Sequence, residues 1–125
     1  MPRNMSFSMT TEAVRAQRKY VTRRLGWKFL EPGDVLWAVE KAQGLKKGEH
    51  VKRICKIRVV HVCRELVGDI GNPLVYTDGG WSEVKREGFS AMSGTAFVEM
   101  FCKANKCSPS AEVARIEFEY VEEGR

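Results

Sequence analysis

From Val113 to Val121 apolar and charged positions alternate, with Ala114, Ile116, Phe118 and Tyr120 set against Arg115, Glu117 and Glu119. A period of two puts one set on each face, so this segment predicts a half-buried antiparallel strand. Val51 to Arg64 is the longest β-favouring stretch. Its alternation slips at Val59-Val60, as happens at a bulge where a strand bends around a barrel. Asp34 to Glu40 predicts another strand after the Pro32-Gly33 turn, and Ser6 to Met9 a short first one. Thr10 or Thr11 can cap a helix with Glu12 in its first turn, running to about Lys19. Tyr20-Val21-Thr22 then returns the chain to extended form, so Lys19 and Thr22 fall at a helix-to-strand junction. Gly44 to Gly48 reads as a lysine-bearing loop and Gly68 to Gly80 as a loop-rich segment. Ser82 opens a short helical turn, Glu83 to Glu87, that Gly88 ends. Ser93 caps a further helix, Thr95 to about Lys103, whose Phe97, Met100 and Phe101 share one core-facing stripe. This order predicts an α+β fold around a curved antiparallel sheet or small barrel.

A chain of 125 residues, 43% hydrophobic and 30% charged, suits one globular domain over residues 1–125. The N-terminal methionines lie in no continuous apolar run, so no secretory signal is expected. Val35 to Val39 is too short to cross a bilayer. A cytoplasmic protein with no membrane partner is expected.

The net charge of +5 is modest, so its distribution matters more than its total. Between Glu12 and Glu31 there is no acidic residue, whereas Arg15, Arg18, Lys19, Arg23, Arg24 and Lys28 crowd the same interval. A second basic block holds Lys46, Lys47, Lys52, Arg53, Lys56, Arg58 and Arg64, while Glu112, Glu117, Glu119, Glu122 and Glu123 gather near the end. Uncompensated positive charge favours an anionic partner, with nucleic acid first among them. If the basic blocks share a face, the molecule has a positive surface and an acidic back.

The four cysteines are Cys55, Cys63, Cys102 and Cys107. Neither Cys102/Cys107 nor Cys55/Cys63 with His61 has the spacing of common structural zinc sites, so no metal and no cofactor is expected. His61 and Cys63, two apart on a strand, would lie about 7 Å from each other, too far for nucleophile and base.

Phe7-Ser8 feeding a helix, Lys19-Tyr20-Val21-Thr22-Arg23-Arg24, Gly33-Asp34 before a strand, and Glu87-Gly88-Phe89 before a helix and a final strand occur here in order. In that ordered set the chain resembles the ASCH family of the PUA-like superfamily. The resemblance implies a small PUA-like β-barrel of mostly antiparallel strands with peripheral helices, and a cleft along the lysine–threonine segment. Some small bacterial relatives remove the acetyl group from N4-acetylcytidine with a lysine, a threonine three residues on and a later glutamate. These fall on Lys19, Thr22 and Glu87, and Arg24 matches a nearby arginine. Other relatives are linked to RNA. Two departures stand out: Gln17 occupies a position where the family often has glycine, and the Gly68–Gly80 insertion is long.

Two functions follow, both with a nucleoside or RNA as partner. In the first, Thr22 is the nucleophile of an amide hydrolysis, Lys19 its base and Glu87 a proton shuttle. Lysine ordinarily titrates near about 10.4, so Lys19 must be lowered by burial or by Arg18, Arg23 and Arg24. Arg24 would steady an oxyanion or a phosphate. In the second, Arg18, Arg23, Arg24 and Lys28 hold RNA phosphates while Trp27 or Tyr20 stacks on a base. The bland alternatives are a solvated Lys19, a strand-packing Thr22 and an exposed helix-end Glu87.

Overall fold

A computed structural model describes residues 2–41 and 45–122. Gly44 and Glu123, which the sequence reading placed in a loop and in the acidic end, lie outside them. The chain runs β1 (Arg3–Ser6), α1 (Thr11–Arg15), β2 (Val21–Arg24), β3 (Val35–Val39), β4 (Arg53–Leu66), a 3-10 turn (Val67–Gly71), α2 (Trp81–Arg86), α3 (Gly94–Asn105) and β5 (Glu112–Tyr120). The strands form a five-stranded sheet in the order β1-β3-β4-β5-β2. β1 lies parallel to β3, and every other pairing is antiparallel. The sheet curls into a half-barrel whose edges are β1 and β2, in keeping with the expected α+β, PUA-like architecture.

The strand patterns are those of the sequence. On β5, Val113, Ala114, Ile116 and Phe118 are buried. The bulge falls at Val60: Val59 pairs with Phe118 and His61 with Glu117, which leaves Val60 over. The first strand lies earlier than Ser6 to Met9 predicts: it pairs with β3 from Arg3 to Ser6, and the last bond is from Phe7 N–H to the Val39 carbonyl.

α1 stops at Arg15 rather than near Lys19. The N–H groups of Gln17 and Arg18 turn back onto the carbonyls of Val14 and Ala13, a Schellman closure. Its left-handed position is usually glycine, and here Gln17 holds φ +57°. Glycine would take this conformation without the strain of a side chain. The early stop also sends Lys19 inward instead of along the helix surface.

Two apolar clusters form. Met5, Phe7, Val14, Leu36, Ile57, Val59, Ile116 and Phe118 fill the half-barrel. Val67, Ile70, Val84, Phe97, Val98, Phe101 and Val113 join the helices to the 3-10 turn and the start of β5. In the second cluster α3 begins at Gly94, where an added β-carbon would overlap the carbonyl oxygens of Ile70 and Gly79. Ser93 caps α3, accepting the Ala96 N–H on its hydroxyl at 3.2 Å.

Two stability changes follow. Gly94→Ala should cost at least about 2 kcal/mol in urea unfolding, because backbone and not a movable side chain blocks the methyl group. A loss under about 0.5 kcal/mol would mean that this crossing is loose. Gln17→Gly should raise stability by about 1 kcal/mol, since it removes the left-handed penalty of an L side chain; a decrease would mean that the Gln17 side chain stabilises the turn.

Candidate functional site

β2 is covered on both faces, with Val21, Thr22 and Arg23 all buried. Its alternation sends Thr22 and Arg24 to one side and Arg23 to the other. The Tyr20 N–H bonds the Arg86 carbonyl at 2.8 Å, tying the start of β2 to the end of α2. The Tyr120 hydroxyl donates to the Lys19 carbonyl at 2.5 Å, which fixes the main chain from the other side.

The end of α2 is built to receive Lys19. Gly88 (φ +105°) and Phe89 close the helix in a Schellman turn on Lys85 and Val84. A β-carbon on Gly88 would come within 2.9 Å of the Ala13 β-carbon, so glycine also lets α1 approach α2. Glu87, as the cap, keeps its own carbonyl unspoken for within the helix. Lys19 Nζ donates to that carbonyl at 2.5 Å and to Glu87 Oε1 at 2.8 Å.

Glu87 Oε2 turns to Arg23, accepting Nη1 at 2.9 Å. Arg23 Nε donates to Glu65 at 2.5 Å, and Nη2 donates to Glu83 at 2.5 Å and to the Tyr76 hydroxyl at 3.0 Å. Arg115 clamps Glu83 from β5 through Nε and Nη2 at 2.6 and 3.2 Å. The Tyr76 hydroxyl donates to Glu65 at 3.0 Å. Among the described residues no buried side-chain nitrogen or oxygen lacks a partner.

Arg24 spans the open edge of the half-barrel. Its Nε donates to Thr22 Oγ1 at 3.1 Å, its Nη2 to the Ser6 carbonyl at 2.6 Å, and its guanidinium sits 4.8 Å from the Phe7 ring. A cavity of about 430 Å³ opens at this seam, lined by Ser6 to Thr10, Lys19, Thr22 to Trp27, Glu87, Phe89 and one face of α3. That volume suits a small-molecule ligand.

Burial sets the protonation chemistry. Desolvation lowers the Lys19 pKa, outweighing the attraction of Glu87, and the charges of Arg24 and Arg23 add to the fall. Desolvation likewise brings Arg24 down to about 10, against the pull of Glu87. For Arg23 burial acts the same way, but Glu87, Glu65 and Glu83 outweigh it and the guanidinium is held charged. Burial alone would raise Glu83; its bonds from Arg115 and the charge of Arg23 bring it below its usual value.

Lys19, Thr22 and Glu87 therefore line one cavity, together with Arg23, Arg24 and Trp27. Arg18 is exposed and Lys28 pairs with Glu112 at 3.0 Å; neither lines the cavity. Four of the six cations in the basic stretch have acidic partners far along the chain. Arg15 pairs with Glu40, Lys19 with Glu87, Arg23 with Glu65, Glu83 and Glu87, and Lys28 with Glu112. Among the described residues of the acidic end, Glu112 and Glu119 of β5 pair with Arg64 and Arg58 of the neighbouring strand. Glu65, Tyr76, Glu83 and Arg115 were not singled out from the sequence; the bonds that join them to Arg23 and to one another span 11 to 60 residues, where no local pattern connects them. Among the described residues no group of three or more His, Cys, Asp or Glu side chains is arranged to hold a metal, and no helix is long and apolar enough to cross a membrane.

The architecture is a five-stranded half-barrel sheet with short helices packed against it. No family model and no curated protein matches the chain. Solved structures do. One is the hypothetical protein PH0355, 16% identical, with a TM-score of 0.61 over 97% of this chain and 100% of that one. A second is an ASCH domain from Lactobacillus crispatus JV V101, 13% identical, with a TM-score of 0.58 over 94% and 78%. A third is protein EF3133 from Enterococcus faecalis V583, 14% identical, with a TM-score of 0.51 over 100% and 84%. The fold is that of an ASCH domain.

The sign of the Glu83 shift gives an acid-stability prediction. Its folded-state pKa lies below the ordinary 4.5, so its contribution is complete above that pH and is lost as pH falls through the folded value. Urea unfolding between pH 7 and pH 3 should therefore show stability dropping below about pH 4.5. Glu83→Gln should cost about 3 kcal/mol at pH 7, by leaving buried arginines short of a partner, and should flatten the acid drop. An equally steep drop in the variant would assign it to other carboxylates.

Proposed function

We propose that this protein hydrolyses an amide on an acylated nucleoside, with N4-acetylcytidine as the test substrate. The observation that carries the reading is the Lys19 ammonium. It is buried, lowered by desolvation, and held against Glu87 in a nucleoside-sized cavity that also contains the Thr22 hydroxyl. A neutral lysine amine is a base, and a hydroxyl needs one to become a nucleophile.

In this reading Thr22 Oγ1 attacks the acyl carbonyl while neutral Lys19 takes the hydroxyl proton. The Arg24 Nε–H already points at Thr22 Oγ1 and steadies negative charge as it develops there. Glu87, bonded to Lys19 Nζ, relays the proton to the leaving amine. Water then cleaves the acyl-threonine, with Lys19 again as base. The apolar wall of Phe89, Phe97 and Phe101 excludes bulk water from the acyl end.

Binding of RNA without chemistry is favoured by a different observation. Trp27 stacks on the exposed Phe29 at 5.7 Å, and the Arg3 guanidinium lies 4.9 Å from the Phe29 ring. Such a platform accepts a base. It competes with the fact that Lys19 and Arg23, two cations of the basic stretch, are already neutralised by glutamates.

Thr22→Ala should lower kcat/KM for N4-acetylcytidine at least about 10³-fold with the fold intact by circular dichroism. Lys19→Arg should do the same, since arginine keeps the charge but yields no base. The wild-type rate should rise as pH passes upward through the lowered Lys19 value. No turnover by the wild-type protein, together with RNA affinity that falls steeply with salt, would transfer the assignment to RNA binding.

A further inference from the structure

Glu87 serves two cations at once, and the second one has no evident part in the chemistry just described. Its Oε1 faces Lys19 Nζ at 2.8 Å and its Oε2 faces Arg23 Nη1 at 2.9 Å. Every nitrogen of Arg23 is engaged, by Glu65, Glu83, Glu87 and Tyr76, so the guanidinium is poorly suited to receive a phosphate from outside. Of its three nitrogens, Nη1 is the one turned to Glu87, while Nε and Nη2 are held by Glu65 and Glu83.

We infer that Arg23 is a positioning residue that works through Glu87: it holds Oε2, aims Oε1 at Lys19, and draws on the charge that would otherwise keep Lys19 protonated. This rests on Lys19 being the base. The surroundings of Lys19 give the direction. Glu87, at the end of α2, is the carboxylate that favours its ammonium form, and Arg23 and Arg24 from β2 oppose it. The Phe7 ring, 6.0 Å from Nζ, and the Tyr120 hydroxyl, bonded to the Lys19 carbonyl, complete the groups around it. Arg23 cannot follow the substrate or drift from Glu87, because β4 holds it through Glu65, and β5 holds its other anchor, Glu83, through Arg115.

The geometry predicts shifts of opposite sign from two substitutions. Arg23→Met gives Glu87 wholly to Lys19 and removes a neighbouring positive charge, so Lys19 should hold its proton to higher pH, by about one pH unit or more. Glu65→Gln strips a counter-charge from Arg23 and leaves the Glu87 contact in place, so Lys19 should lose its proton at lower pH. The measurement is an NMR titration of the Lys19 side chain in protein labelled with ¹³C-lysine, with the signal assigned through Lys19→Arg. The acid limb of kcat/KM for N4-acetylcytidine should move with it.

Opposite shifts in the two variants support the inference. Unchanged midpoints, or shifts of the same sign, overturn it. The titration needs no turnover: opposite shifts in a protein that hydrolyses nothing would keep the coupling and remove the hydrolase reading. If Arg23→Met does not fold, Glu65→Gln decides alone, since Glu65 lies at the more open end of the network, and an unmoved Lys19 midpoint there overturns the inference.

Discussion

The grip of Glu87 on Lys19 is the contact around which this molecule is arranged. It joins the edge strand of the sheet to the end of α2 through both the carbonyl and the carboxylate of one residue. Each charge taken out of water needs its partner, and losing one leaves a deficit of about 3–5 kcal/mol. Much of the local architecture serves that meeting. α1 stops early through an unfavourable residue at Gln17, Gly88 lets α1 and α2 touch, and Tyr120 pins the Lys19 carbonyl.

The polar seam lies between two apolar clusters and explains why the half-barrel stays open. A barrel closes when its edge strands pair through their backbones. Here β1 and β2 are the edges, and a side chain spans them instead: Arg24 reaches from Thr22 to the Ser6 carbonyl. The cavity occupies the space that a closed ladder would have filled. Buried ion pairs add little stability over a well-packed apolar contact. A seam filled by such pairs, beside a residue in the left-handed region, is a place where local rules yield to something other than folding.

What the sequence made legible was periodic or local. The alternation on β5, the slip at Val59-Val60, the Ser93 cap and the Gly88 stop all appear where the pattern puts them, because each depends on residues a few positions apart. The meeting of Lys19, Thr22 and Glu87 in one cavity came only through a family resemblance, since Glu87 lies 68 residues from Lys19. The charge reading was incomplete for the same reason. Counting acids inside the interval from Glu12 to Glu31 says nothing about Glu65, Glu83 and Glu87, which long-range β pairing and helix packing bring to that interval.

Where the cations end up bears on which function the architecture favours. A protein that holds a polyanion needs its cations at the surface, where they can displace counterions. This chain turns Lys19 and Arg23 inward and balances them with carboxylates, and Arg18 alone of the Arg18–Arg24 cations stays exposed. On the proposed hydrolase reading, burial that makes a poor phosphate clamp suits a base, because desolvation disfavours the ammonium form and Glu87 stays bonded to the same nitrogen. The same physical act of withdrawing a lysine from water thus weakens the case for a phosphate clamp and strengthens the case for a base, and it occurs at the seam where the sheet is left open.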